Sequence, residues 1–311
     1  MRGGRTLFRR FPFALHAAFA LVGMVGLSAT AQSESKPQIA VKPATKTYPN
    51  TSRAATATER LINDARDGRL DDFTFLSAAL TASGAETADD AKKWLAMYEP
   101  VRAGILSRLP PGTATDRLKA IHADTYQLVL TGAYQESCSD LRKTFSVGDF
   151  NCLTSLAVCF DLSQSAGLVV HPILIRGHVF LAYKNGSGQT QFFEPGAGEW
   201  QSHPLIEVTV GRTLSPSELL GKFYYNRGVE HLRSRSYQDG LSLLRVSLAL
   251  DPADEDARAN LVAGLNNWAV AQCQARRYDE AASLIQQGLA LDPTFAPLIA
   301  NEQFLRAKLG Q

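Results

Sequence analysis

The stretch Gly148-Asp149-Phe150-Asn151-Cys152-Leu153 decides how this chain reads, because a turn there runs straight into a helical segment that continues to Ser165 and is closed by Gly167. Asn is a favoured N-cap residue, so Cys152 is expected at the first helical position, among backbone N–H groups that lack an intrahelical acceptor. The positive end of the helix dipole stabilises a thiolate placed there, and the thiolate is the nucleophilic form of cysteine.

A nucleophile needs a base. Arg176-Gly177-His178 follows, leading into Val179-Phe180-Leu181-Ala182-Tyr183, and beyond it Phe192-Phe193-Glu194-Pro195 offers a carboxylate. Cysteine on a helix start, histidine on a strand and an acid after the next strand give nucleophile, base and orienting group in one chain order. Between Val169 and Phe193 β-branched and aromatic residues fall in short runs around Asn185-Gly186-Ser187-Gly188, which reads as strand, strand, turn, strand. Gly177 is expected to let the backbone bend so that His178 faces the Cys152 helix. His171, inside a strand before Pro172, reads as a structural or surface residue, and His203 is a further rival. Arg176 has two readings, a partner for a substrate carboxylate or a solvated strand-end charge.

Upstream, from Ala57 to about Leu130, apolar residues recur at helical spacing: Leu61 and Ala65, then Phe73, Leu76 and Leu80, then Trp94, Tyr98, Val101 and Ile105. Asp71 or Asp72, and Thr87 with Asp90, suit helix starts. Gly84, Pro100 and Pro110-Pro111-Gly112 are breaks, so four or so helices are expected before the cysteine, with Pro100 kinking or splitting the third.

The N-terminus carries Arg2, Arg5, Arg9 and Arg10, an apolar run from Ala17 to Leu27 and small residues at Ala29-Thr30-Ala31. Residues 1–31 therefore read as a cleaved signal peptide, with an apolar run short of the ~20 residues that span a bilayer. Residues 32–56 hold few large apolar side chains and read as a disordered spacer. The formal charge of +2 comes from the signal; without its four arginines 28 basic residues stand against 30 acidic ones. Such a balance gives no electrostatic case for nucleic acid, and no stable membrane span is expected after cleavage. The expected location is outside the cytoplasm, in a bacterial periplasm, where disulfides are permitted. Cys152 and Cys159 lie two turns apart on one helix, about 10 Å, too far to pair. Cys138 with Cys159 stays open, as does burial of Cys159 and Cys273 as small apolar residues. The cysteines and histidines lack the paired short spacings of a zinc site, and no metal or other cofactor is expected.

At Leu219 the pattern changes again. Gly228, Gly240, Leu244 and Pro252 fall at tetratricopeptide spacing, and Ala269, Ala281, Ile285 and Pro293 repeat the set. Leu250-Asp251-Pro252 is echoed by Leu291-Asp292-Pro293, and Tyr237 by Tyr278. The prolines are 41 residues apart, where a standard repeat has ~34; the excess is about two helical turns, which lengthens the helix over about 254–275 while largely keeping its packing face. Residues 296–308 read as a capping helix.

Taken together, Asn151-Cys152-Leu153, Ala166-Gly167-Leu168, Gly177-His178-Val179-Phe180-Leu181 and Phe193-Glu194-Pro195 resemble the transglutaminase-like core, a branch of the papain-like cysteine fold. The resemblance covers about residues 70–223. It implies an α+β fold with a helical N-terminal part and a small antiparallel sheet over 57–215, followed here by an all-α tetratricopeptide-like segment over 216–311. It also implies Cys152 as nucleophile, His178 as general base and acid, and Glu194 where the family usually has an aspartate before proline. The expected activity is acyl transfer from an amide, or its hydrolysis, through a Cys152 thioester, with the repeats binding a protein or peptide. The alternative is an exported scaffold retired from catalysis, since related bacterial domains often lack the cysteine.

Overall fold

The computed structural model describes residues 56–175, 177–200, 202–203 and 211–310. The expected signal over 1–31 and all of the spacer except Thr56 lie outside the described residues. Those described form a mixed structure, helical at both ends with one small antiparallel sheet between, an α+β arrangement.

Among the described residues five α-helices precede the cysteine: α1 (Ala57–Asp64), α2 (Phe75–Ala82), α3 (Ala88–Ser107), α4 (Ala114–Leu128) and α5 (Leu141–Val147). Each begins at a residue whose side chain accepts a first-turn N–H: Thr56, Thr74, Thr87, Thr113 and Asp140. Thr87 receives the Asp90 N–H as its spacing suggests. Asp71 and Asp72 are not caps. Their N–H groups donate to the Asp64 carboxylate at 3.0 and 2.9 Å, which shapes the turn before α2 and moves the helix start to Phe75. Pro100 does not split α3. The carbonyl its ring leaves without a donor belongs to Ala96, an exposed residue, where solvent is able to satisfy it.

Helix α6 (Cys152–Ser165) is buried on nearly every side from Leu153 to Leu162, the mark of a central helix rather than a surface one. It packs against α2, α3 and α4 on one side and the sheet on the other. The sheet comprises β1 (Val170–Ile175), β2 (His178–Lys184), β3 (Thr190–Phe193), β4 (Ser202–His203) and β5 (Arg212–Thr213), in the order β4-β3-β2-β1-β5. All neighbours run antiparallel. The two hairpins agree with the pattern of the sequence; the two-residue edge strands β4 and β5 carry too little pattern to be read from it. Val179, Leu181, Tyr183 and Phe193 face the main core, while Ile173, Ala182 and Phe192 form a small cluster on the other face.

Helices α7 (Pro216–Arg233), α8 (Tyr237–Leu250), α9 (Glu255–Gln274), α10 (Tyr278–Leu291) and α11 (Ala296–Leu309) follow. The echo in the sequence extends to the backbone. Arg235 and Arg276, also 41 apart, both take left-handed φ values of 62° and 59° in the turns before α8 and α10. Leu244, Ala269, Ala281 and Ile285 are buried in a second core. Helix α7 belongs to both cores: Leu219, Leu220, Phe223 and Tyr224 enter the first, and Tyr225, Val229 and Leu232 pack against the second. At this junction Lys222 on α7 pairs with Asp254, the N-cap of α9, at 2.7 Å, and Arg212 of β5 joins Glu218 to the fully buried Asp251.

Candidate active site

Cys152 opens α6 because Asn151 caps it. Asn151 Oδ1 accepts the Leu153 and Thr154 N–H groups at 2.9 and 3.0 Å, and Thr154 Oγ1 accepts the Asn151 N–H at 3.0 Å. A cap of this kind contributes about 1 kcal/mol, but its consequence here is positional. Asn151 Nδ2 donates to Ser139 Oγ and Glu136 O, and Ser139 Oγ also accepts from Asn226 on α7. The helix start is thus anchored by a loop and by α7, the first of the C-terminal helices. The turn before it is equally fixed. Gly148 has φ 78°, and a Cβ there would lie 2.3 Å from Thr131 Oγ1, so only glycine fits. Asp149 accepts from Ala133 N and Gln135 Nε2, and Phe150 exchanges backbone bonds with Ala133 and Gln135. Cys152 is half-buried, at the border between core and solvent, while Ser155 one turn on is fully buried.

His178 begins β2 directly after Gly177, whose φ of 81° turns the chain back from β1. Its Nε2 lies 3.0 Å from Glu194 Oε1. Strand pairing explains the reach. Leu181 faces Phe193, so the next residue, Glu194, stands diagonally from His178 along the sheet, a separation that a long side chain spans. With Nε2 on the carboxylate, Nδ1 is the nitrogen left for the thiol, to which the ring is also hydrogen-bonded. Burial works against a charge on this ring. The hydrogen bonds to Cys152 and Glu194, and the negative charge both can carry, outweigh it and push the imidazole up to about 10. The edge of Phe180, 4.4 Å away between ring centroids, supports the imidazole from below. All three residues singled out in the sequence therefore meet, and the arrangement can hold a proton on His178 beside a nucleophilic sulfur.

Other residues complete the site that the sequence pattern did not single out. Tyr134 packs edge-on against Phe150 and leaves its phenol beside the thiol. Tyr134 is half exposed as a whole, but its hydroxyl end is held above the usual phenol range by partial burial and then by the nearby Cys152, Glu194 and Glu136, while a contact with the Cys152 backbone works the other way. Gly196 lies on the first turn of α6: a Cβ there would be 2.9 Å from Ser155 Oγ and 3.9 Å from Cys152 Cα. His122 on α4 touches the same loop. These positions come from a loop, a turn and a helix face, which have no periodic or motif signal.

Among the remaining expectations, His171 is exposed on β1, and the side chains of Arg176 and His203 lie outside those described. All four cysteines are free thiols, including Cys138 and Cys159, which do not pair. Burial pushes Cys159 up to about 12, and Cys138 and Cys273 are raised for the same reason. Among the described residues no group of His, Cys, Asp and Glu is arranged to hold a metal ion, and no helix is long and apolar enough to cross a membrane. No protein-family model, curated protein or solved structure matches this chain.

Proposed function

We propose that this chain is an exported, periplasmic cysteine enzyme of the transglutaminase-like, papain-like kind, transferring the acyl group of a protein or peptide amide through Cys152. The supporting observation is the contact of His178 with both Cys152 and Glu194 in one site. Cys152 Sγ, as thiolate, bonds to the amide carbonyl carbon, and the carbonyl electron pair moves to oxygen, beside the N–H groups at the start of α6. Collapse of this intermediate breaks the C–N bond as the imidazolium of His178 gives its proton to the departing amine. The thioester is then resolved by water or a second amine, whose proton returns to His178. Glu194 holds the ring throughout. The tetratricopeptide-like segment α7–α11 binds the protein that carries the amide, and its tie from Asn226 to Ser139 to Asn151 fixes it against the nucleophile's helix.

The test uses purified protein lacking residues 1–31, with casein as amide donor and a fluorescent primary amine as acceptor, following both amine incorporation and ammonia release. Product formation that Cys152→Ala abolishes is the expected result. No Cys152-dependent product with casein or with a glutamine- and asparagine-containing peptide library overturns the enzyme reading and leaves the exported scaffold.

A further inference from the structure

The carboxylate that orients His178 is on a connection, not on a regular element. Glu194 is followed by Pro195-Gly196-Ala197, where the Ala197 N–H returns to Glu194 O at 3.2 Å, and then by the run to Trp200. Such a loop needs an external seat if a carboxylate is to stay within 3 Å of an imidazole. Helix α4 supplies one. His122 and Tyr126, four residues apart and so on one face, both turn towards the loop. The Tyr126 hydroxyl lies where a Cβ on Gly198 would be 3.3 Å away, and its ring meets Phe150, two residues before the thiol, at 5.8 Å. His122 is 3% exposed and edge-on to Phe193 at 6.4 Å and to Trp200 at 5.7 Å, the residues that flank the loop on either side. Trp200 in turn stacks on Phe193 at 4.7 Å, closing an aromatic clasp around the loop's two ends.

A phenylalanine would serve a clasp equally well, yet this position holds a histidine. Its ring reaches the backbone carbonyls of Glu194 and Ala197, while Nε2 has no hydrogen-bond partner. A buried imidazole in that setting donates through one nitrogen and keeps the other unprotonated, because a second proton would have no acceptor. Burial accordingly lowers its affinity for a proton despite the two carbonyls. The geometry points to His122 as a positioning residue: a neutral imidazole whose single N–H pins the Glu194–Ala197 loop to α4 and thereby sets the Glu194–His178 contact. This inference rests on the proposed thiol–imidazole–carboxylate site and adds a fourth member that touches neither substrate nor sulfur.

The test is a proton and nitrogen NMR titration of the histidine rings in wild type, His122→Phe and His122→Asn, with the rate of Cys152 alkylation as second readout. Phenylalanine keeps the aromatic clasp and removes the donor; asparagine restores a donor. Wild-type His122 is expected as a neutral ring with one slowly exchanging N–H across the neutral range. In H122F the His178 titration is expected to fall by about one pH unit or more, with alkylation slowed, and H122N to recover part of both. An H122F protein that titrates at His178 and alkylates at Cys152 as wild type does overturns the inference, as does a wild-type His122 ring that titrates freely and exchanges its N–H fast, a readout that needs no variant to fold. Should wild-type His178 itself titrate at its ordinary value, the proposed function fails instead, and the two failures are told apart.

Discussion

Glu194 reaches His178 across one strand step, with Oε1 and Nε2 3.0 Å apart, and the residue that carries the carboxylate directly follows the strand paired with the histidine's own. Because the contact is diagonal on the sheet, the length of the side chain matters as well as its charge. Glu194→Gln removes the charge that favours a proton on His178, and the expected loss in acyl-transfer rate is on the order of a hundredfold. Glu194→Asp keeps the charge but falls short by one methylene, so it should recover only part of that loss. An aspartate variant as active as wild type would show that reach is irrelevant here.

The four thiols should separate by reactivity. Burial raises Cys138, Cys159 and Cys273, and Cys159 to about 12, so all three stay protonated at pH 7. Iodoacetamide on the native protein should label Cys152 at least ~10-fold faster than any other cysteine. Peptide mapping by mass spectrometry at short times measures this, and Cys152→Ala should erase the fast phase. Equal labelling of Cys273 would contradict the assignment.

The raised value at His178 has a consequence for stability with a definite sign. The native state holds the imidazole proton more tightly than the unfolded chain, so the contribution is fully present below the ordinary histidine value of about 6.5 and is lost as pH rises towards about 10. The urea midpoint of wild type minus that of His178→Gln should therefore be largest near pH 6 and shrink steadily to pH 10. A difference that grows with pH would mean that the ring is not held as an imidazolium.

Lys222 and Asp254 are nearly inaccessible and join α7 to the start of α9. Replacing one partner leaves the other buried without its counter-charge, which costs about 3–5 kcal/mol. Lys222→Met should lower the unfolding free energy by that amount in denaturant titration. Because α7 contributes to both cores, the loss should appear in tryptophan signals from both, through Trp94 and Trp200 on one side and Trp268 on the other.

What the sequence revealed was local. Asn151 before Cys152, Gly167 after the helix, the Asn185–Gly188 turn and the 41-residue echo each express a rule acting over a few residues, and each falls where its rule puts it. The Glu194–His178 contact was legible only through chain order, because strand register brings the two together. Three features were not legible. His122 acts on carbonyls more than seventy residues away, and a histidine on a helix face has no pattern to mark that. Asp71 and Asp72 resemble caps but are captured by Asp64, a tertiary choice between equivalent local options. Pro100 looks like a break, yet α3 runs through it, with the residue whose bond it removes, Ala96, exposed to solvent.

Gly196 tests how closely the Glu194 loop must approach the Cys152 helix. A methyl group at this position would meet Ser155 Oγ at 2.9 Å, and Ser155 is fully buried with its hydroxyl donating to Cys152 O at 3.2 Å. The hydroxyl cannot swing away without giving up that bond in a packed interior, so the loop should lift instead. Gly196→Ala is expected to cost about 1–3 kcal/mol and to slow Cys152 alkylation as Glu194 retreats from His178. Removing the obstructing atom should relieve the strain: Gly196→Ala with Ser155→Ala should be more stable and more reactive than Gly196→Ala alone, a favourable coupling between neighbours. Strictly additive effects in denaturant midpoint and alkylation rate would show that the loop does not rest on Ser155, and that the position of Glu194 is set by α4 alone.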